Sequence, residues 1–402
     1  MIEPEAASAV DPFFEIIHDG QWNACIGIQG NEQNYVDGYL EAALELASAV
    51  IDKGLVASRD TLAMPILYNA RHAIELSLKF AINELHRMGV ITTRHVPNHD
   101  ILSHWRYLRD AGVGDTTLRS LITDLEPYVL SLAKIDDDGQ ELRYPTNQDG
   151  KKSLDSIAIV NLPHIRRSLG AMSDILTKLK YRIFDFGAER NTGAFTSECS
   201  RRDLRTIAGL LGDHASWVDD SFNDKKAIIR AQFGLSSNQF SRAVTQIRKS
   251  RPLAALVGLE ASLEYLNDEK AVFALEQWAI AYPPVVEAKE ELGIDYFDRD
   301  WEKVEQERRV TNELIDTIIA NLSEEEISDL EVLFYLGRGR EFGEHYDVMI
   351  KNTVAKHKLA KSRWESVYHI MTKANLLTNV SRGAEAAGRP SLATKLRTIR
   401  PE

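Results

Sequence analysis

The chain has 402 residues, 44% of them hydrophobic and 27% charged, with a formal net charge of −12. That length exceeds one helical core and implies two domains or two fused bundles, and the composition argues against a disordered or low-complexity chain. Cys25 and Cys199 lie far apart and match no metal-ligand spacing, and neither a signal-like apolar stretch nor a membrane-length run is present. The expectation is a reduced, cytoplasmic protein with no membrane association and no disulfide framework.

Apolar residues recur at helical spacing almost throughout, as in Tyr39, Ala42, Leu46 and Val50, then Leu67, Ile74, Leu78 and Ile82. No segment alternates as a half-buried strand does, so the expected fold class is all-α. The spacing predicts helices at about 34–53, 60–88, 100–111, 115–134 and 153–181 in the first half. In the second half it predicts them at about 201–211, 224–233, 237–250, 253–266, 270–280, 284–292, 299–321, 323–336, 339–356, 361–377 and 389–398. Ser323 followed by Glu326 reads as a capping box. Asp136 to Glu141 and Pro145 to Gly150 are dense in turn formers. The acids there lack the spacing of a calcium-binding EF-hand loop, so the first of these loops reads as a solvated turn. A second break, Phe184 to Cys199, holds Gly187, Asn191 and Gly193, and places a first domain at 1–183 and a second at 200–402.

In the first half, Arg71, Glu75 and Lys79 share one helical stripe, His99-Asp100 follows at the start of the next helix, and Arg143-Tyr144-Pro145 precedes the last long helix. These elements, in this order across residues 35–182, resemble the HEPN family of helical bundles. The resemblance implies a HEPN-like bundle in the first half. Glu75 and Lys79, four residues apart, also form an ordinary stabilising pair, and Asp100 can cap a helix start. Arg143 and Tyr144 can pin a loop to the bundle.

Catalytic HEPN members are metal-independent ribonucleases carrying Arg, four to six residues, then His on a late helix, completed across a dimer. A histidine can move the 2′-hydroxyl proton while a permanently charged arginine stabilises the charge at phosphorus. The expected late helix holds His164, Arg166 and Arg167 but no arginine upstream at that spacing, which is a departure from the pattern. The spacing recurs at Arg94 and His99, where Pro97 intervenes, at Arg363 and His369, and at Arg338 or Arg340 with His345. The last, in a glycine-rich turn hard to explain by packing, makes Arg340, His345 and Arg338 the candidate catalytic residues.

Charge is unevenly spread. Residues 225–251 hold seven Lys/Arg and no Asp or Glu, and residues 351–400 hold eleven Lys/Arg against two acids. Such segments are either solvated helix faces or a polyanion-binding surface. Ile229 and Phe233, then Gly234-Leu235, then Phe240 and Val244 have the spacing of a helix-turn-helix. In it Ser236 or Ser237 caps the second helix, and Arg242, Arg248 and Lys249 project as nucleic-acid-binding candidates, although Arg230 stands where the motif favours a small residue. No Ser-His-Asp spacing, HExxH element or Cys/His cluster suggests a hydrolase, metal or cofactor.

The resemblance implies a bacterial homodimer that binds RNA or cuts it without metal, in antiphage defence, a toxin–antitoxin pair or stress control. The alternative is a non-catalytic scaffold, antitoxin-like partner of another protein, or regulator that binds RNA or DNA.

Overall fold

The computed structural model describes residues 13–14, 20–93, 95–96, 98–146, 150–155, 157–219, 221–283, 301–360 and 362–399. Arg94, Pro97 and the helix expected at 284–292 lie outside them. Among the described residues there is no strand, only an isolated bridge between Thr146 and Lys152, so the chain is all-α. Among the described residues no helix is long and apolar enough to cross a membrane. The chain divides into two units, Met1–Gly112 with Ser120–Tyr181, and Val113–Arg119 with Arg182–Glu402.

The first unit is built on α1 (Glu32–Asp52), α2 (Arg59–Arg87), α3 (Ile101–Asp110), α4 (Thr116–Asp124), α5 (Glu126–Ile135) and α6 (Leu162–Arg190), the start of α4 and the end of α6 belonging to the second unit. Asn31 opens α1 with a reciprocal capping box. The buried face of α1 is Val36, Leu40, Ala43, Ala47 and Val50, one position round from the expected stripe, so that Tyr39, Ala42 and Leu46 are only half-buried. This face packs on α2, whose Ile66, Ala70, Ile74 and Leu78 are closed from solvent. Lys180 and Arg166 of α6 bond Asp37 and Asp52 of α1. The single helix expected at 115–134 breaks at Leu125, because Pro127 sits in the first turn of α5, where a proline has no helical amide to lose. The last long helix starts at Leu162, not Ser153, and runs through the expected break at Phe184 because Ile183 and Phe186 are buried.

The second unit contains α7 (Arg201–Leu211), α8 (Ser221–Phe233), α9 (Ser237–Lys249), α10 (Arg251–Ala255), α11 (Asp268–Ala281), α12 (Trp301–Asn321), α13 (Glu324–Gly339), α14 (Tyr346–Lys358), α15 (Arg363–Met371), α16 (Leu376–Ala386) and α17 (Pro390–Arg397). Helices α7 to α10 close one core, and α11 to α17 close a larger one around α13. Ser323 and Glu326 form the expected capping box at the start of α13. The helix expected at 253–266 stops at Ala255. The amides of Tyr265 and Leu266 are taken instead by the buried Asp329 carboxylate, each at 2.8 Å, and that of Glu264 by the Tyr346 hydroxyl at 2.7 Å.

The glycine-rich turn after α13 has a packing explanation. A Cβ on Gly337 would lie 1.9 Å from the Asn379 carbonyl oxygen, one on Gly383 1.8 Å from that of Leu333, and one on Gly343 1.7 Å from that of Ala386. Glycines thus let α13, α16 and the following turn approach backbone to backbone, which corrects the expectation that packing does not account for them. Gly209, inside α7, faces open space. Gly337→Ala should destabilise the protein by about 2 kcal/mol or more through overpacking, whereas Gly209→Ala should stabilise it by up to about 1 kcal/mol. Urea unfolding of both variants checks this, and similar effects of one sign would contradict the packing argument.

Candidate functional site

Three residues of the resemblance, Arg71, Lys79 and His99, meet at one buried carboxylate, that of Glu75. Glu75, in the middle of α2, has a side chain only 2% exposed. One helical turn earlier, Arg71 Nη1 donates to Glu75 Oε2 at 2.7 Å, and one turn later Lys79 Nζ donates to Oε1 at 2.6 Å. The i, i+4 stripe read from the sequence therefore exists, and it turns inward at Arg71 and outward at Lys79. His99 Nδ1 is 2.8 Å from the same Oε1, and His72 Nδ1 is 3.8 Å from Oε2.

Arg71 is as buried as its partner and uses the rest of its guanidinium on backbone. Nε donates to the Asp136 carbonyl at 2.9 Å, and Nη2 donates to the carbonyls of Asp137, at 3.0 Å, and of His99. Asp136 itself is buried, and its carboxylate accepts from the amides of Glu141 and Leu142 at 3.3 and 3.2 Å. The acidic loop is thus not wholly a solvated turn: Asp137 and Asp138 are exposed, but Asp136 belongs to the receptor for Arg71. Gly139 adopts φ +81°, and a Cβ there would come within 3.2 Å of Arg71 Nη1, so the loop needs a glycine on both grounds. Sequence reasoning missed Asp136, because an acid among turn formers reads as solvent-facing.

Arg143 Nε donates to the Gly139 carbonyl at 2.6 Å and so pins this loop. Its guanidinium lies 5.8 Å from the Tyr68 ring centre and 5.6 Å from that of Tyr144. Tyr68 stacks on His72 at 5.7 Å, and Tyr39 meets His72 edge-on at 4.4 Å. Asp100 caps α3, accepting from the Ser103 amide at 2.9 Å, and takes no part in the Glu75 cluster. A buried anion is therefore rimmed by half-buried or exposed cations and rings: His72, Lys79, His99, Arg143, Tyr68 and Tyr144.

Burial pushes the Glu75 carboxyl upward, but its neighbours His72, Lys79, Arg71 and His99 outweigh that and hold it well below its ordinary value of 4.5. It is ionised at neutral pH, so it accepts the His99 Nδ1 proton. Neutral His99 is then the Nδ1–H tautomer with its Nε2 lone pair free. The His99 side chain is 64% exposed, and among the described residues nothing bonds Nε2.

The other candidates lie in the second unit. Arg242, Arg248 and Lys249 are exposed on α9. Arg242 bonds Glu198 at 2.7 Å, and Arg248 bonds His214 Nε2 at 2.7 Å and lies 5.0 Å over the Trp217 ring centre. Arg338 occupies the last turn of α13, and Arg340 ends that helix in the left-handed conformation, φ 52°. His345 closes a short 3-10 turn, 3.7 Å from Glu341. No hydrogen bond or ion pair joins either arginine to His345, so this region is not assembled as the Glu75 cluster is. A further grouping was not legible in the sequence. His357 bonds Ser328 at 2.8 Å and Glu331 at 2.7 Å, but all three are buried, and the arrangement tethers α14 to α13 out of reach of any substrate.

Because the folded-state value of Glu75 is depressed, its contribution to stability is present above about pH 4.5 and is lost as pH falls towards the folded value. Glu75→Gln should cost about 3 kcal/mol at neutral pH, since it removes the close partner of the buried Arg71 charge and leaves only the Asp136 carboxylate, at 3.8 Å. Urea unfolding should show this wild-type advantage shrinking steadily as pH falls below about 5. A wild-type advantage that stays constant with pH would contradict the ionised cluster.

No family model, no curated protein and no solved structure matches the chain.

Proposed function

We propose that the chain is a HEPN-like protein that binds RNA on the rim of the Glu75 cluster and cleaves it without a metal ion. The observation that carries this reading is His99, an exposed imidazole fixed through Nδ1 on a buried, ionised carboxylate, with no partner for Nε2 among the described residues. Carboxylate orientation of a histidine is what a general base requires, because it sets both the tautomer and the ring direction.

In this reading Tyr68 and Tyr144 offer faces for unstacked bases, and Lys79 and Arg143 offset phosphate charge. His99 Nε2 takes the 2′-hydroxyl proton, the 2′-oxygen bonds the adjacent phosphorus, and the bond from phosphorus to the 5′-oxygen breaks. That oxygen takes up a proton from water, leaving a 2′,3′-cyclic phosphate and a 5′-hydroxyl. Arg340 and His345, with Arg338, remain the competing proposal for the chemistry. A defence or stress role, and pairing of two copies, extend the same resemblance.

A second reading is a non-catalytic binder. It is favoured by how far the cluster satisfies itself: Arg71 makes four hydrogen bonds, to Glu75 and three carbonyls, as a device that only holds loops to a bundle would.

Labelled single-stranded RNA incubated in chelator with wild type, His99→Ala, Arg340→Ala and His345→Ala separates these readings. Cleavage should fall by about a hundred- to ten-thousand-fold in His99→Ala, with RNA still bound, and persist in the other two. Loss confined to Arg340→Ala and His345→Ala would move the chemistry to the second unit. Salt-sensitive binding without cleavage by wild type would leave the non-catalytic reading.

A further inference from the structure

A second surface, independent of the RNA reading, lies on α9. Helices α7, α8 and α9 close a three-helix core in which Ile207 and Leu211 meet Ile229, Phe233, Phe240 and Ile247. Gly234, at φ +67°, turns the chain between α8 and α9. Arg230, which stands where a small residue is expected, does not obstruct this turn but closes it, its Nε donating to the Leu235 carbonyl at 3.2 Å. Ser236 and Gln239 cap each other's amides, which fixes where α9 starts.

With Phe240, Ala243 and Ile247 facing the core, the register of α9 turns Asn238, Ser241, Arg242, Thr245 and Lys249 outward, and all of these are exposed. The outward face carries no large apolar side chain, which disfavours a protein groove as its partner. It also carries no acid. From Lys225 to Arg251 the chain is without Asp or Glu, and the carboxylate that bonds the face is Glu198, at the flank, held by Arg242 and Gln239. Short amide and hydroxyl groups with Arg242 among them therefore occupy the first turns, and Arg248 and Lys249 the last.

We propose that α9 enters the major groove of double-stranded DNA, with Asn238, Ser241, Arg242 and Thr245 at base edges and Arg248 and Lys249 at phosphates. A helix about 10–12 Å across fits the B-form major groove, about 12 Å wide, whereas the A-form groove of duplex RNA is too deep and narrow to admit it. The residue types match what the groove displays: amide to adenine, guanidinium to guanine, and the threonine methyl to that of thymine. Lys225, exposed near the start of the preceding helix, adds a cation on the helix that in a helix-turn-helix crosses the DNA backbone.

The test uses the full chain and a fluorescein-labelled DNA duplex of about 30 base pairs, a length chosen to exceed one helical turn several-fold, read by anisotropy across a salt series. Wild type should bind with affinity that falls steeply with salt. Lys249→Ala should weaken binding to every duplex by a similar factor and lower the salt slope by about one. Asn238→Ala with Arg242→Ala should instead change which sequences are enriched from a random duplex pool. These residues are exposed, so thermal unfolding should be unchanged, and His99→Ala should leave duplex binding intact, separating this result from the RNA reading. Absence of duplex binding at about 50 mM salt, where contacts to several phosphates are strongly felt, would overturn the proposal. So would indifference to both substitutions, or an effect of both on single-stranded RNA in place of duplex DNA.

Discussion

The first unit depends on one charge placed where charge is costly. Glu75 lies inside a helix whose neighbouring positions, Ala73, Ile74 and Leu78, are closed from solvent. An isolated carboxylate there would be protonated or would unfold the site. It is kept ionised by donors from α2 and from the segment before α3, and Arg71 in turn donates to a carbonyl of the loop after α5. Since a guanidinium has five donors and no acceptor, Arg71 gathers the carbonyls of residues 99, 136 and 137 as well. One ion pair thus ties two otherwise irregular loops to the bundle. The outward groups held by the same network, His99, Lys79 and Arg143, inherit its rigidity, which is what a site for chemistry needs.

The second unit solves a different problem. Its central helix α13 is buried nearly along its length although it carries Glu326, Ser328, Asp329 and Glu331. Each is met by a partner from another segment: Lys270, His357, Tyr346 and Lys356 with His357. Burial pushes the Glu331 carboxyl up, yet His357 and Lys356 bring it down to about 2, so Glu331 is ionised at neutral pH. These contacts and the backbone approach at Gly337 and Gly383 assign the polar and glycine-rich character of this region to packing.

The helical class was legible because apolar spacing survives almost everywhere, and the α8–α9 turn because Gly234 and Ser236 carry its local chemistry. Helix ends were less legible. Where Leu266 would continue a helix, its amide is captured by Asp329, some sixty residues away, and no local signal reports this. The stripe of α1 was displaced by one position because Tyr39 and Leu46 look like core residues, while the tight packing favours Ala43 and Ala47. At the candidate site, Arg71, Glu75 and Lys79 were legible as a stripe, and His99 as a companion through the resemblance. The role of Asp136 was not, nor was the convergence of His72, Tyr68 and Arg143, which depends on how loops return to the bundle.

The central claim is that the rim of the Glu75 cluster holds RNA. Photo-crosslinking of 4-thiouridine-substituted RNA to the full chain, followed by peptide mass mapping, tests it most directly. The account requires attachment at Tyr68, His72 or Tyr144. Crosslinks to other parts of the chain, with none at these three residues, would contradict it.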